Sequence, residues 1–124
     1  MLKIGCKDSY NVLHINNEIG QYVIGGAGTY MNEMYRYRDS NEGFVHITSD
    51  GADIDTEYYP GREDIFVMSE EETYKLNQID CGIIVIQFYE FADIITEDLL
   101  KNRKLVYVIH SVPTPEPMPY WDAF

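Results

Sequence analysis

The sequence predicts a single domain of the α/β or α+β class: one mixed β-sheet, two or three short helices and a proline-rich C-terminal tail. Three observations carry that prediction. Short apolar runs outnumber segments of helical period, and the helical segments interrupt them. The run Gly82 to Phe91, GIIVIQFYEF, is continuously apolar in its first half, as a strand covered on both faces requires. The chain has 124 residues, 45% of them hydrophobic and 14% aromatic, enough for one core and too apolar for a disordered chain. The domain is expected over 1–112, with the tail over 113–124.

In chain order, Met1 to Cys6 alternates loosely and ends at Gly5-Cys6, which predicts a short strand. A turn over Lys7 to Tyr10 leads to a second short strand at Val12 to Ile15. Asn16-Asn17-Glu18 signals another turn. The stretch Gln21 to Asp39 then reads as a buried strand (Tyr22-Val23-Ile24), a glycine turn (Gly25, Gly26, Gly28) and a helix from about Thr29. Tyr30, Met34 and Tyr37 fall at helical spacing on one face. Such a unit gathers free backbone N–H groups and a positive dipole end at one point, where a phosphate is favoured. A tight turn that needs glycine is the plainer reading. The dinucleotide fingerprint G-x-G-x-x-G is broken, because Met31 stands where its last glycine belongs.

Phe44 to Thr48 reads as a strand, and Tyr58-Tyr59-Pro60-Gly61 as a firm stop. Ile65 to Met68 is a short apolar run. Ser69 and Glu72 have capping-box spacing, and Glu70 and Glu71 suit a helix N-terminus, which predicts a helix over Glu70 to Leu76. Thr96 is the expected cap of a last helix through Leu99 and Leu100 to Asn102. Leu105 to Ile109 reads as a final buried strand. The tail VPTPEPMPYWDAF holds four of the five prolines, so polyproline II is its expected state.

Charge narrows the function. With 21 Asp and Glu against nine Lys and Arg, the net charge is −12, which opposes a direct hold on nucleic acid or an anionic membrane. No apolar run approaches the length of a membrane span, no signal peptide precedes the first strand, and the expected location is cytoplasmic. Cys6 and Cys81 form no C-x-x-C pair, so they are expected as reduced thiols, with a mutual disulfide the alternative. His14, His46 and His110 lack ligand spacing and read as surface or satisfied core residues. Asp50, Asp53, Asp55 and Glu57 miss the EF-hand pattern, so no metal site is expected there.

Residues Gln21 to Phe91 resemble the C-terminal half of the dihydrofolate reductases. The resemblance rests on Val23-Ile24-Gly25-Gly26 followed by Tyr30, on Phe44 to Thr48, on Asp55-Thr56-Glu57-Tyr58-Tyr59-Pro60 with one residue more than the family motif, and on Tyr74-Lys75-Leu76 with Ile86 to Glu90 as a closing hairpin. It implies NADPH as the cofactor: Gly25 and Gly26 as the family's diglycine, the helix from Gly28 and Thr29 facing the pyrophosphate, and Tyr30 near the nicotinamide. It also implies strand where the capping box predicts helix at Glu70 to Leu76. The chain before Gln21 has no counterpart of the family's substrate carboxylate and mobile loop, so hydride transfer is not expected of it.

Two functions follow. One is a non-catalytic binding protein resembling the reductases' nucleotide-binding half. The other is a small acidic protein, of a viral or mobile-element kind, that occupies a basic surface of a host protein as an inhibitor or DNA mimic, or that serves as a virion component. For the second, the partner-binding residues are Asp50, Asp53, Asp55, Glu57, Glu63 and Asp64, with Tyr120, Trp121 and Phe124 of the tail. An unpartnered half-fold also predicts a homodimer.

Overall fold

The computed structural model describes residues 1–17, 26–48, 59–87 and 93–108. Six strands form one mixed sheet: β1 (Leu2–Ile4), β2 (Ser9–Asn16), β3 (Glu42–Thr48), β4 (Ile65–Ser69), β5 (Asp80–Ile86) and β6 (Lys104–Tyr107), in the spatial order β1-β4-β3-β2-β5-β6. Only β1 is antiparallel to its neighbour; β4, β3, β2, β5 and β6 all run the same way. The expected class is what forms. The central strand is β2, longer at both ends than the Val12 to Ile15 run predicts, and parallel to β3 on one side and β5 on the other. The expected strand Tyr22-Val23-Ile24 lies outside the described residues.

One helix, α1 (Gly26–Arg36), follows β2 and precedes β3. Gly26 and Gly28 therefore belong to its first turn, not to a turn ahead of it. Its buried pair is Met31 and Tyr35, one helical turn apart, with Tyr30 and Met34 half-buried beside them. Tyr37 does not join that face; it lies past the helix end and is 72% exposed. Met31 and Tyr35 pack on Phe44, Ile65 and Val67, which share one face of the sheet.

The opposite face carries the larger core: Leu13, Ile15, Val45, Ile47, Phe66, Met68, Ile84 and Ile86. Each such side chain contributes about 1.5–3 kcal/mol by leaving water. A 3₁₀ helix over Glu70–Gln78 covers that face through Leu76, and the segment after β5 covers it through Ile95 and Leu99. The Ser69–Glu72 capping box forms: the Ser69 N–H donates to Glu72 Oε1 at 3.2 Å. Residues 74–76 are thus helical, and β5 pairs in parallel with both neighbours, so among the described residues the closing hairpin implied by the reductase resemblance does not form; its residues 88–90 lie outside them.

The Thr96 cap also forms, with the Leu99 N–H donating to Thr96 Oγ1 at 3.1 Å, but residues 97–102 make turns rather than a helix. Arg103 takes up one acceptor of that segment, the Leu99 carbonyl at 3.0 Å, and fastens the turns to the carbonyls of Asn77 and Ile79 before β5. The last strand is an edge strand, half-buried rather than buried. The firm stop is a tight turn: the Arg62 N–H donates to the Tyr59 carbonyl at 3.0 Å, with Pro60 and Gly61 (φ 68°) between them.

Candidate functional site at the carboxyl ends of the strands

Parallel strands end together, so the chain leaves β2, β3, β4, β5 and β6 at one end of the sheet. From β2 it passes to α1 on one face; from β5 it passes to Ile95 and Leu99 on the other. The two connections diverge between β2 and β5, and the order of β4-β3-β2-β5-β6 reverses there. In open α/β sheets, ligands bind outside the carboxyl ends of the strands at this point.

Side chains at that place depart from the pattern of the rest of the sheet. Interior parallel strands are usually apolar on both faces. Here Asn16 ends β2, His46 and Thr48 end β3, and Gln87 follows β5; each is no more than 1% exposed. Register sets them side by side. Asn16 lies opposite His46, and Ile15 opposite Ile86, which brings Gln87 alongside Asn16 from the other flank. All four share the face that α1 packs on. His14, two residues before Asn16, stacks on Phe44 at 4.8 Å, and Phe44 packs on Met31 and Tyr35.

His46 is held from two sides. Its Nε2 lies 3.1 Å from the Asn17 carbonyl and its Nδ1 2.5 Å from the Tyr59 hydroxyl. A carbonyl only accepts, so Nε2 carries the proton, and the Tyr59 hydroxyl partners Nδ1. The imidazole thereby ties the end of β2 to the turn that precedes β4. The Asn16 side-chain oxygen accepts from the Asn17 N–H at 2.7 Å, which fixes the amide plane. Thr48 donates to the Met68 carbonyl at 3.4 Å. Each of these groups is a neutral hydrogen-bonding side chain buried at the strand ends.

Of the residues expected at a cofactor turn, Gly26 opens α1, Gly28 lies in its first turn, Thr29 is exposed and Tyr30 is half-buried against the core. The parallel β2-α1-β3 connection places that N-terminus at the carboxyl end of the sheet. Gly25 lies outside the described residues. So do Asp50, Asp53, Asp55, Glu57, Tyr120, Trp121 and Phe124 of the expected partner surface. Glu63 is exposed and pairs with Arg38 at 3.2 Å. Asp64 is a correction to that surface: it is 4% exposed, takes the Tyr10 hydroxyl on one oxygen and Arg38 Nε on the other, and has no side to offer a partner. His14 and His46 are buried; His46 is hydrogen-bonded at both nitrogens, whereas His14 has Glu42 on Nε2 and no partner on Nδ1 among the described residues, and His110 lies outside them. Cys6 and Cys81 are both free thiols, and burial raises the pKa of each above the ordinary thiol value.

Sequence reasoning missed Asn16, His46, Thr48 and Gln87 as a set. Asn16 reads as turn, His46 as a satisfied core residue and Gln87 as part of a strand. A polar residue at the end of each apolar run was the available signal, and only strand register aligns them.

Fold and site together define an open α/β domain with a polar strand-end site. No protein-family model, curated protein or solved structure matches the chain. No helix among the described residues is long and apolar enough to cross a membrane.

Proposed function

We propose that the protein is a non-catalytic binding protein for a small nucleoside-containing ligand, held outside the carboxyl ends of β2 and β5. The observation that supports this most is the row Gln87, Asn16, His46 of buried polar side chains at the point where the strand order reverses. Strands β4-β3-β2-β5-β6, numbered from β2, have the order 3-2-1-4-5 of doubly wound nucleotide-binding sheets. That analogy of fold supports the ligand class, and the three side chains support the location. Asn and Gln amides each combine a donor and an acceptor, the pairing that a base edge also carries. Thermal unfolding of the wild type and of Asn16→Leu in millimolar adenosine tests the reading. A stabilisation that the variant loses supports it; equal stabilisation of both contradicts it.

A second reading, a protein that occupies a basic surface of another protein, is favoured by the net charge of −12. Its affinity for such a partner falls as salt rises. Binding that is indifferent to salt contradicts it.

A further inference from the structure

Among the described residues, β6 is the outermost strand on one side of the sheet and β1 on the other. Such edges invite pairing with further extended chain. The Val108 N–H donates to the Ile86 carbonyl at 3.0 Å. Backbone groups alternate in direction along a strand, so Lys104, Val106 and Val108 turn theirs towards β5. Leu105 and Tyr107 turn theirs to the outer side. Their side chains pack on the larger core, which holds that outer row in place.

The sequence that follows matches such a row on one side only. Prolines stand at 113, 115, 117 and 119, and Val112, Thr114, Glu116 and Met118 each precede one. Proline fixes its own φ at about −65° and pushes the residue before it out of the α region. Both members of each pair are thus restricted to extended or polyproline II backbone, so little further entropy is lost on docking. In an extended chain, alternate residues present their backbone groups to opposite edges. One edge of 112–120 therefore carries the N–H donors of Val112, Thr114, Glu116, Met118 and Tyr120. The other carries carbonyls alone, because proline has no N–H. Proline enters sheets in this way, on an edge strand with its donor-less side outward.

We propose that residues 113–119 form the strand that closes the β6 edge of their own sheet. They run antiparallel to β6, with the backbone of Thr114 and Glu116 facing its outer row and the prolines facing outward. The four residues 109–112 suffice for the return. The choice of β6 over β1 follows from the chain, which continues directly from β6. The proline row then ends the sheet, since a further strand finds no donors there. This device is independent of the strand-end site.

Hydrogen exchange at the Leu105 amide, followed by NMR in the 124-residue chain, tests it. Slow exchange is expected in the wild type. Thr114→Pro and Glu116→Pro remove donors from the pairing side. They are expected to speed Leu105 exchange at least about tenfold and to leave Ile84, inside the sheet, unchanged. Pro115→Ala and Pro117→Ala restore donors on the outward side. They are expected to leave Leu105 protected and to promote association of copies, read by sedimentation. Fast Leu105 exchange in the wild type, or equal effects of the two pairs of variants, overturns the proposal. Leu105 protection that appears only as the chain dimerises also overturns it, because the edge is then covered by a second copy.

Discussion

The Tyr10 hydroxyl donates to Asp64 Oδ1 at 2.7 Å, joining the start of β2 to the residue before β4 at the amino end of the sheet. Both are at most 4% exposed. Arg38 Nε reaches the other carboxylate oxygen at 3.1 Å. Burial, with Asp64 adding to it, raises the Tyr10 pKa, so the phenol stays a donor across the physiological range. Asp64 also holds a φ of 61°, which non-glycine residues rarely adopt. This end of the molecule is built for stability, and the polar strand ends lie opposite.

Asp64→Ala leaves the buried Tyr10 hydroxyl without its acceptor, while the half-buried Arg38 keeps the Tyr35 carbonyl and Glu63, and is expected to cost about 1–3 kcal/mol. Tyr10→Phe is expected to cost about 1–2 kcal/mol. The double variant costs less than the sum, because one bond is lost twice. Urea unfolding of the four proteins checks this, and strict additivity contradicts it.

Glu72 carries the clearest acid dependence. The Lys75 ammonium, the N-terminal ammonium of Met1 and the Ser69 N–H all hydrogen-bond its carboxylate and hold its pKa near about 2, against 4.5 ordinarily. A depressed pKa contributes stability that is present above pH 4.5 and is lost as pH falls towards 2. Glu72→Gln is expected to flatten the decline of the melting temperature in that window. An unchanged slope contradicts the assignment.

Two glycines with positive φ differ in surroundings. At Gly5 (φ 54°), an added Cβ stands 2.7 Å from Glu63 Cβ; at Gly61 (φ 68°), it meets nothing within 4 Å. Gly61→Ala therefore suffers backbone strain alone, about 1 kcal/mol, whereas Gly5→Ala adds a clash and costs about 2–3 kcal/mol. Denaturant midpoints rank the two variants, and the reverse order contradicts the argument.

Arg103 binds segments that no regular element joins. Arg103→Lys keeps the charge but lacks the planar fork that reaches the Leu99, Asn77 and Ile79 carbonyls together. It is expected to cost about 1–3 kcal/mol and to speed amide exchange at Leu99 and Leu100. Protection factors equal to wild type contradict this.

Much of the fold was legible because its signals are local. The apolar runs that became β3, β4 and β5 needed only composition and length, and the Ser69–Glu72 box only spacing. The order of the strands was not legible, since it depends on pairings between β2, β3 and β5 that lie far apart in sequence. The site is hidden for the same reason. His46 gains its meaning from Asn17 and Tyr59, 29 and 13 positions away, and Asn16 from Gln87 across a register that no window contains. Tyr37 was misplaced because period alone does not say where a helix ends.

The most direct measurement is an adenosine titration followed by amide NMR of the labelled protein. Ligand held outside the ends of β2 and β5 is predicted to shift the Asn16, Asn17, Thr48 and Gln87 signals and to leave Tyr10, Arg38 and Asp64 in place. Shifts confined to that amino-end group, or none at millimolar adenosine, would contradict the account.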